Sequence, residues 1–224
     1  MLNCHLQCYG SDAQTNLANA IRLLDNKYKE LKGIFAVFNS QIISGSNLFK
    51  ISEESFSGFG SRTKPIGSIG VSILLDDELI QMNKELFLGE KPSSITNLPV
   101  DRIFCVTESP GLNKEYLKAV IDKGVKGVIW RSYGVGDPNQ EYLEIFDILK
   151  ERKIPIVMTT QIKTGSASMD VNEPGILARQ HGVIPAYRMS LPIMWCKMAY
   201  LFEKGYQYED FPELMNKNLK GELV

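Results

Sequence analysis

The chain has 224 residues, of which 44% are hydrophobic and 23% charged, and its formal net charge is -1. That is the composition of a globular protein, with chain enough for one large domain or two small ones. The near-neutral balance excludes a strong electrostatic pull toward nucleic acid or anionic membrane, and no apolar run approaches the roughly 18 residues that span a bilayer.

In chain order, the first twenty residues hold no signal-peptide core, because Asn3, His5, Gln7, Ser11 and Asp12 interrupt every apolar stretch. A soluble, cytoplasmic protein is expected. Cys4, His5 and Cys8 are close enough to suggest metal ligands. No second pair follows at finger-like spacing, and the other histidine, His181, is far along the chain. They are read as unrelated thiols and no metal is expected. Residues 11–25 predict an amphipathic helix, capped by Ser11 or Asp12, with Leu17, Ala20, Ile21 and Leu24 at helical spacing. Ile34–Phe38 is a wholly apolar run and predicts a buried strand. Ile42–Ile43 open a second extended segment that ends near Lys50. Residues 52–70 are rich in Ser and Gly, without period, and predict a loop. Val71–Leu75 predicts a strand. Asp76–Asp77–Glu78 reads as a solvated face. Residues 90–99, with two prolines and two serines, read as a linker.

Beyond that linker strands and helices alternate. Strands are expected at 103–106, 127–130 and 155–158. Helices are expected on the stripes Leu117, Val120, Ile121 and Tyr142, Phe146, Leu149, at 175–181 before Gly182, after Ser190 with Ile193, Cys196, Ala199 and Tyr200, and at 209–219. Such alternation predicts a parallel sheet with right-handed crossovers. Cys105 and Cys196 are read as core residues. The expected organisation is an incomplete α/β block at 1–89, a linker at 90–99 and a complete α/β domain at 100–224. A parallel sheet buries both faces, and the first block offers one good helix and few strands, which hints at chain missing from its N-terminal side.

In open parallel sheets ligands collect at the carboxyl ends of strands. Those ends are residues 39–50, the loop 131–139 and the loop 159–165. The second is the most polar, with Arg131, Ser132, Tyr133, Asp137 and Asn139 around Gly134 and Gly136. The alternative for this loop is a plain strand-to-helix turn with an N-cap at Asp137. Lys50, taken by itself, is a surface charge. No Ser-His-Asp pattern and no nucleotide fingerprint is present.

A series of motifs nevertheless resembles one family. Ser11-Asp12 through Asn16-Leu17 is similar to the "SDxxxNL" helix start of the L-asparaginases, and Gly33–Asn39 to their "GVxVVFN" strand. Pro65-Ile66-Gly67 is similar to their "PLG" element. Gly127–Gly136 matches the bacterial type I, cytoplasmic form, as do 154–157, 173–175, 182–185 and 218–223. The resemblance implies a two-domain parallel-sheet α/β fold, and hydrolysis of L-asparagine to L-aspartate and ammonia through an acyl-enzyme, without metal or cofactor. It places Lys50 on the family's catalytic lysine, which assists a threonine hydroxyl that is a poor nucleophile unaided. It implies substrate or intersubunit contacts for Asp137 and Asn139, and a second, regulatory asparagine site at Arg131, Tyr133 and Ile162. It also implies a homo-oligomer, with no nucleic-acid or membrane partner. Asp137 stands where many members have asparagine, and Ile162 where some type I members have cysteine. The family's "TGGTI" and "GTDT" segments, bearing both threonines and the aspartate of the relay, have no match here. The resemblance therefore implies an N-terminally truncated chain, inactive alone. The alternatives are an asparagine-binding or partner-binding remnant, and the amidotransferase subunit of the same superfamily, which carries an additional N-terminal domain.

Overall fold

The computed structural model describes residues 10–87 and 98–223. Cys4, His5, Cys8 and residues 90–97 of the expected linker lie outside the described residues. The chain divides into two compact units: residues up to Pro92 with Leu219–Glu222, and residues 93–218 with Leu223.

In the first unit, α1 (Ala13–Arg22) starts after Asp12, as expected. Ser11 Oγ accepts from the Ala13 amide at 3.1 Å, while Asp12 turns its carboxylate to Asn16 Nδ2 at 2.9 Å. The strands are β1 (Phe35–Phe38), β2 (Gln41–Ser44), β3 (Leu48–Lys50), β4 (Phe59–Ser61), β5 (Gly67–Ile69) and β6 (Ile73–Leu75). They correct the expectation of few strands in this block. They also correct the parallel pairing: β1-β2-β5-β6 form one sheet and β3-β4 another, antiparallel throughout. The cause is local. Asn39 and Ser40 both have positive φ, 45° and 58°, the backbone of a two-residue hairpin turn, which can only return the chain antiparallel. Residues 52–70, expected to be a loop, contain β4 and β5, whose three-residue length leaves no period to read. Gly67 permits the β5–β6 approach, since a Cβ there would lie 2.5 Å from the Leu74 carbonyl oxygen.

The acidic run is corrected too: it opens α2 (Asp77–Phe87). Asp76 accepts from the Leu79 amide at 3.1 Å and pairs with Lys64, and acidic residues suit the positive end of a helix. The buried cluster of this unit is Ile42, Ile66 and Ile69, flanked by Leu23, Leu31 and Phe35. The expected core stripe of α1 does not join it. Leu17, Ile21 and Leu24 face solvent, and Asn19 and Leu23 face inward.

The second unit carries a parallel sheet in the order β10-β9-β8-β7. Its strands are β7 (Ile103–Thr107), β8 (Gly127–Ser132), β9 (Ile156–Thr160) and β10 (Ile184–Pro185). The three expected strands pair parallel and within two residues of the expected ends. Strand side chains alternate between faces. Val106, Val128, Trp130, Ile156 and Met158 pack in one layer with residues of α3 (Lys114–Asp122), α4 (Leu143–Glu151) and α5 (Glu173–Gln180). Ile103, Ile129 and Val157 pack in the other with α6 (Leu191–Glu203) and α7 (Phe211–Asn216).

On α6 the buried face is Met194, Lys197, Met198 and Leu201, so Cys196 is exposed, against expectation, and Cys105 is only partly buried. Lys197 is tolerated inside because its Nζ donates to the carbonyl oxygens of Met215 and Lys217, at 2.9 and 2.6 Å, where α7 ends. That ending, at Asn216, falls short of the helix expected to 219. Instead the Glu222 carboxylate accepts from the amides of Leu219 and Lys220 and holds a turn. Among the described residues no helix is long and apolar enough to cross a membrane.

Candidate functional site

The carboxyl ends of β7, β8 and β9 are built around one buried carboxylate. Glu108 follows β7 directly and is 3% exposed. It accepts from Trp130 Nε1 at 2.9 Å, Ser132 Oγ at 3.0 Å and the Asn139 amide at 2.7 Å. A buried carboxylate is stable only when its oxygens are met by donors, and here all three come from β8 and the loop after it. Gln161 ties in β9: its Nε2 donates to the Glu108 carbonyl oxygen at 2.8 Å and its amide to that of Ser132 at 2.9 Å. Thr160 Oγ1 donates to the Gly134 carbonyl oxygen at 2.7 Å. The loops at 131–139 and 160–165 are therefore one clamped assembly. Burial, aided by the Glu141 and Glu108 carboxylates, pushes the Tyr142 phenol up to about 12, and its hydroxyl donates to the Leu112 carbonyl oxygen. Glu108→Ala would leave three donors unmet at about 1–3 kcal/mol each. With water partly replacing the carboxylate, the second unit should lose about 3–5 kcal/mol. Urea unfolding of Glu108→Ala and Glu108→Gln would check this, the glutamine variant being the milder because it keeps an acceptor. An unchanged midpoint in the alanine variant would show that the carboxylate is not holding the loops.

On the α6 face of the sheet the register sets Thr107, Arg131 and Thr159 side by side. Arg131 is partly buried, and its NH1 donates to Thr107 Oγ1 at 3.3 Å. No described carboxylate pairs with it. Thr159 Oγ1 is buried without a hydrogen-bond partner among the described residues. In the row beneath, burial raises the Cys105 thiol, and the Arg131 charge lowers it in part, so this is not an activated thiol. Tyr133 and Ile162 are both about half exposed, one on each of the clamped loops.

Asp137 closes its loop. Its amide donates to the Tyr133 carbonyl oxygen, and its Oδ2 accepts from Asn172 Nδ2 at 2.8 Å. Its Oδ1 is buried beside Gly175 in the first turn of α5, where a Cβ would stand 3.1 Å away. The N-cap role expected for Asp137 in the alternative reading belongs to Asn139, whose Oδ1 accepts from the Glu141 amide at 3.1 Å.

Lys50 lies in the first unit, at the exposed end of β3. Its Nζ sits 4.5 Å from the Phe59 ring centroid, a cation–π contact. No described hydroxyl or carboxylate binds it. The structure thus brings Arg131, Tyr133, Asp137 and Asn139 into one loop, with Ile162 on the loop clamped to it, and sets Lys50 in the other unit. Sequence reasoning missed Glu108 and Gln161. The available signal was a polar residue immediately after an apolar strand. Among the described residues, no group of three or more His, Cys, Asp or Glu side chains is placed to hold a metal ion.

Comparison with known proteins adds the following. The family model for the glutaminase/asparaginase C-terminal domain matches residues 102–215, and that for the asparaginase N-terminal domain matches residues 4–81. A glutamyl-tRNA(Gln) amidotransferase subunit from Methanococcus maripaludis is 28% identical over 95% of this chain and 52% of its own length. L-asparaginase 1 of Escherichia coli is 28% identical over 96% of this chain and 62% of its own. Among solved structures, L-asparaginase I from Vibrio cholerae superposes with a TM-score of 0.79 at 27% identity, covering 98% of this chain and 65% of that one. The thermostable L-asparaginase from Thermococcus kodakarensis gives 0.78 at 25% identity, covering 97% and 64%. The chain thus spans between half and two thirds of the length of these relatives. Both names, asparaginase and amidotransferase subunit, occur at the same identity, so identity alone does not rank them.

Proposed function

Since this chain belongs to the glutaminase/asparaginase family, we propose that it is a cytoplasmic L-asparaginase-type protein that binds L-asparagine but does not, by itself, hydrolyse it. Residues 1–89 and 100–224 are taken as its two family domains, joined at 90–99. The full family reaction would convert L-asparagine and water to L-aspartate and ammonia, with no cofactor.

The single observation behind the binding half is Arg131. A guanidinium at the carboxyl end of a parallel strand, partly buried and, among the described residues, held only by a 3.3 Å bond to Thr107, leaves its fork free for a carboxylate. Arginine and carboxylate pair through two parallel hydrogen bonds. An amino acid's α-carboxylate fits that chemistry, with Tyr133 and Ile162 flanking it and Asp137 and Asn139 shaping the loop. Removing a charge-assisted contact of this kind costs about 1.5–3 kcal/mol, roughly 10–100-fold in affinity.

Calorimetry with L-asparagine tests it. Heat of binding is expected for the unmodified chain, and a loss of at least about tenfold in affinity for Arg131→Ala. L-glutamine should bind more weakly if the loop is fitted to the shorter side chain. No heat from the unmodified chain, or equal affinity in Arg131→Ala, would remove the site.

A further inference from the structure

Four residues from far along the chain complete the first unit. Leu219–Glu222 belong to it, whereas residues 93–218 belong to the second. Asn47, buried in the turn between β2 and β3, donates from Nδ2 to the Gly221 carbonyl oxygen at 2.5 Å. Its own amide donates to the Ser44 carbonyl oxygen at 3.0 Å, so the turn presents that side chain on a fixed frame. Lys220 Nζ donates to the Leu86 carbonyl oxygen at 3.2 Å, in the last turn of α2. Carbonyls at that end have no partner within the helix, and a cation suits its negative pole.

The segment is shaped for this place by its own side chains. Glu222 is buried, and its carboxylate accepts from the Leu219 amide at 3.0 Å and the Lys220 amide at 2.6 Å. Gly221 has a φ of 84°, in the left-handed region that favours glycine. A turn set by internal hydrogen bonds loses less freedom on docking than slack chain does. The segment also covers part of the core: Lys220 and Gly221 line a hollow of about 20 Å3 with Asn47, Leu86 and Ile66, and Ile66 belongs to the buried cluster of this unit.

We propose that residues 219–222 are a docking strap, a recognition segment that the first unit binds through Asn47 and the end of α2, and that opens while both units stay folded. Chain that merely lay on the surface would not reach a buried side-chain amide or roof over Ile66. Opening the strap loosens the β2–β3 turn and the end of α2, and leaves the parallel sheet of the second unit as it is. The inference is independent of asparagine binding.

Hydrogen exchange in the full chain and in a chain ending at Asn218 tests it. Without the strap, the Asn47 amide and the last-turn amides of α2 should exchange at least tenfold faster, and those of β7–β9 at an unchanged rate. A synthetic peptide of residues 217–224 at millimolar concentration should restore the slow rates, because a short tether supplies an effective concentration of that order. In the full chain, Lys220→Ala and Gly221→Ala should each speed exchange at the same amides several-fold. The first loses the contact with α2, and the second forces an L-residue into the left-handed region. These two variants decide the case if the shortened chain does not fold. Exchange that is the same in the full chain and in both of them overturns the proposal. So does a folded shortened chain whose exchange is unchanged, or is not slowed by the peptide.

Discussion

Purified chain is expected to release no ammonia from L-asparagine above the uncatalysed background, and Lys50→Ala is expected to change nothing. In the family route lysine assists a hydroxyl and does not attack the amide itself. Here Lys50 is exposed, its Nζ rests on the Phe59 ring, and the threonine-bearing motifs of the family have no match in the 224 residues. Catalytic groups that act as a unit lose nearly everything when the nucleophile goes, on the order of a million-fold in kcat. The serines after β3 offer no ready substitute. Ser52 Oγ accepts from the Glu54 and Ser55 amides, and Ser55 Oγ from the Ser57 amide, so these hydroxyls are engaged in turns. A coupled ammonia assay decides the matter. Turnover that disappears in Lys50→Ala would overturn the inactivity proposal, and would require a nucleophile elsewhere in the chain. Asparagine binding without turnover would agree with both halves of the proposed function.

The second unit was legible because its elements are long and its periods clean. Strands of five or six residues between helices of eight or nine leave one connectivity, and the apolar rows of β7, β8 and β9 announce burial on both faces. The first unit was not. Its strands are three or four residues long, which is too short for alternation to show, and the hairpin turn at Asn39–Ser40 lacks the glycine that usually marks one. The start of α2 hid in an acidic run that suits a helix N-terminus as well as a solvated face. At the candidate site, the polar loop and Arg131 were visible as residue types. The role of Glu108 was not, since nothing in a linear sequence tells that a glutamate after a strand meets Trp130, Ser132 and Asn139. Cys196 failed for a simpler reason: α6 is apolar around much of its circumference, so period alone did not select its buried face.

The two units should also differ sharply in stability. Among the described residues the first has four buried isoleucines, Ile42, Ile43, Ile66 and Ile69, of which Ile42, Ile66 and Ile69 form its cluster. The second has fifteen buried hydrophobic residues, aliphatic and aromatic, in one cluster and twelve in the other. Each well-buried aliphatic or aromatic side chain contributes about 1.5–3 kcal/mol, whereas ordering the backbone costs about 1–2 kcal/mol per residue in either unit. The balance therefore favours the second unit strongly. Leu17, Ile21, Leu24, Ile34 and Leu74 add nothing to the first, since each is more than half exposed. Hydrogen exchange should show the amides of β1–β6 opening at far lower free energy than those of β7–β9, as local opening follows buried contact. Limited proteolysis should cut first within residues 51–57 or at the Val71–Ser72 turn. Phe146→Ala, which strips about 3–5 kcal/mol from a packed core, should collapse the protection of β7–β9 and leave that of β1–β6 little altered. Equal protection of both units would mean that the four buried isoleucines of the first understate its core.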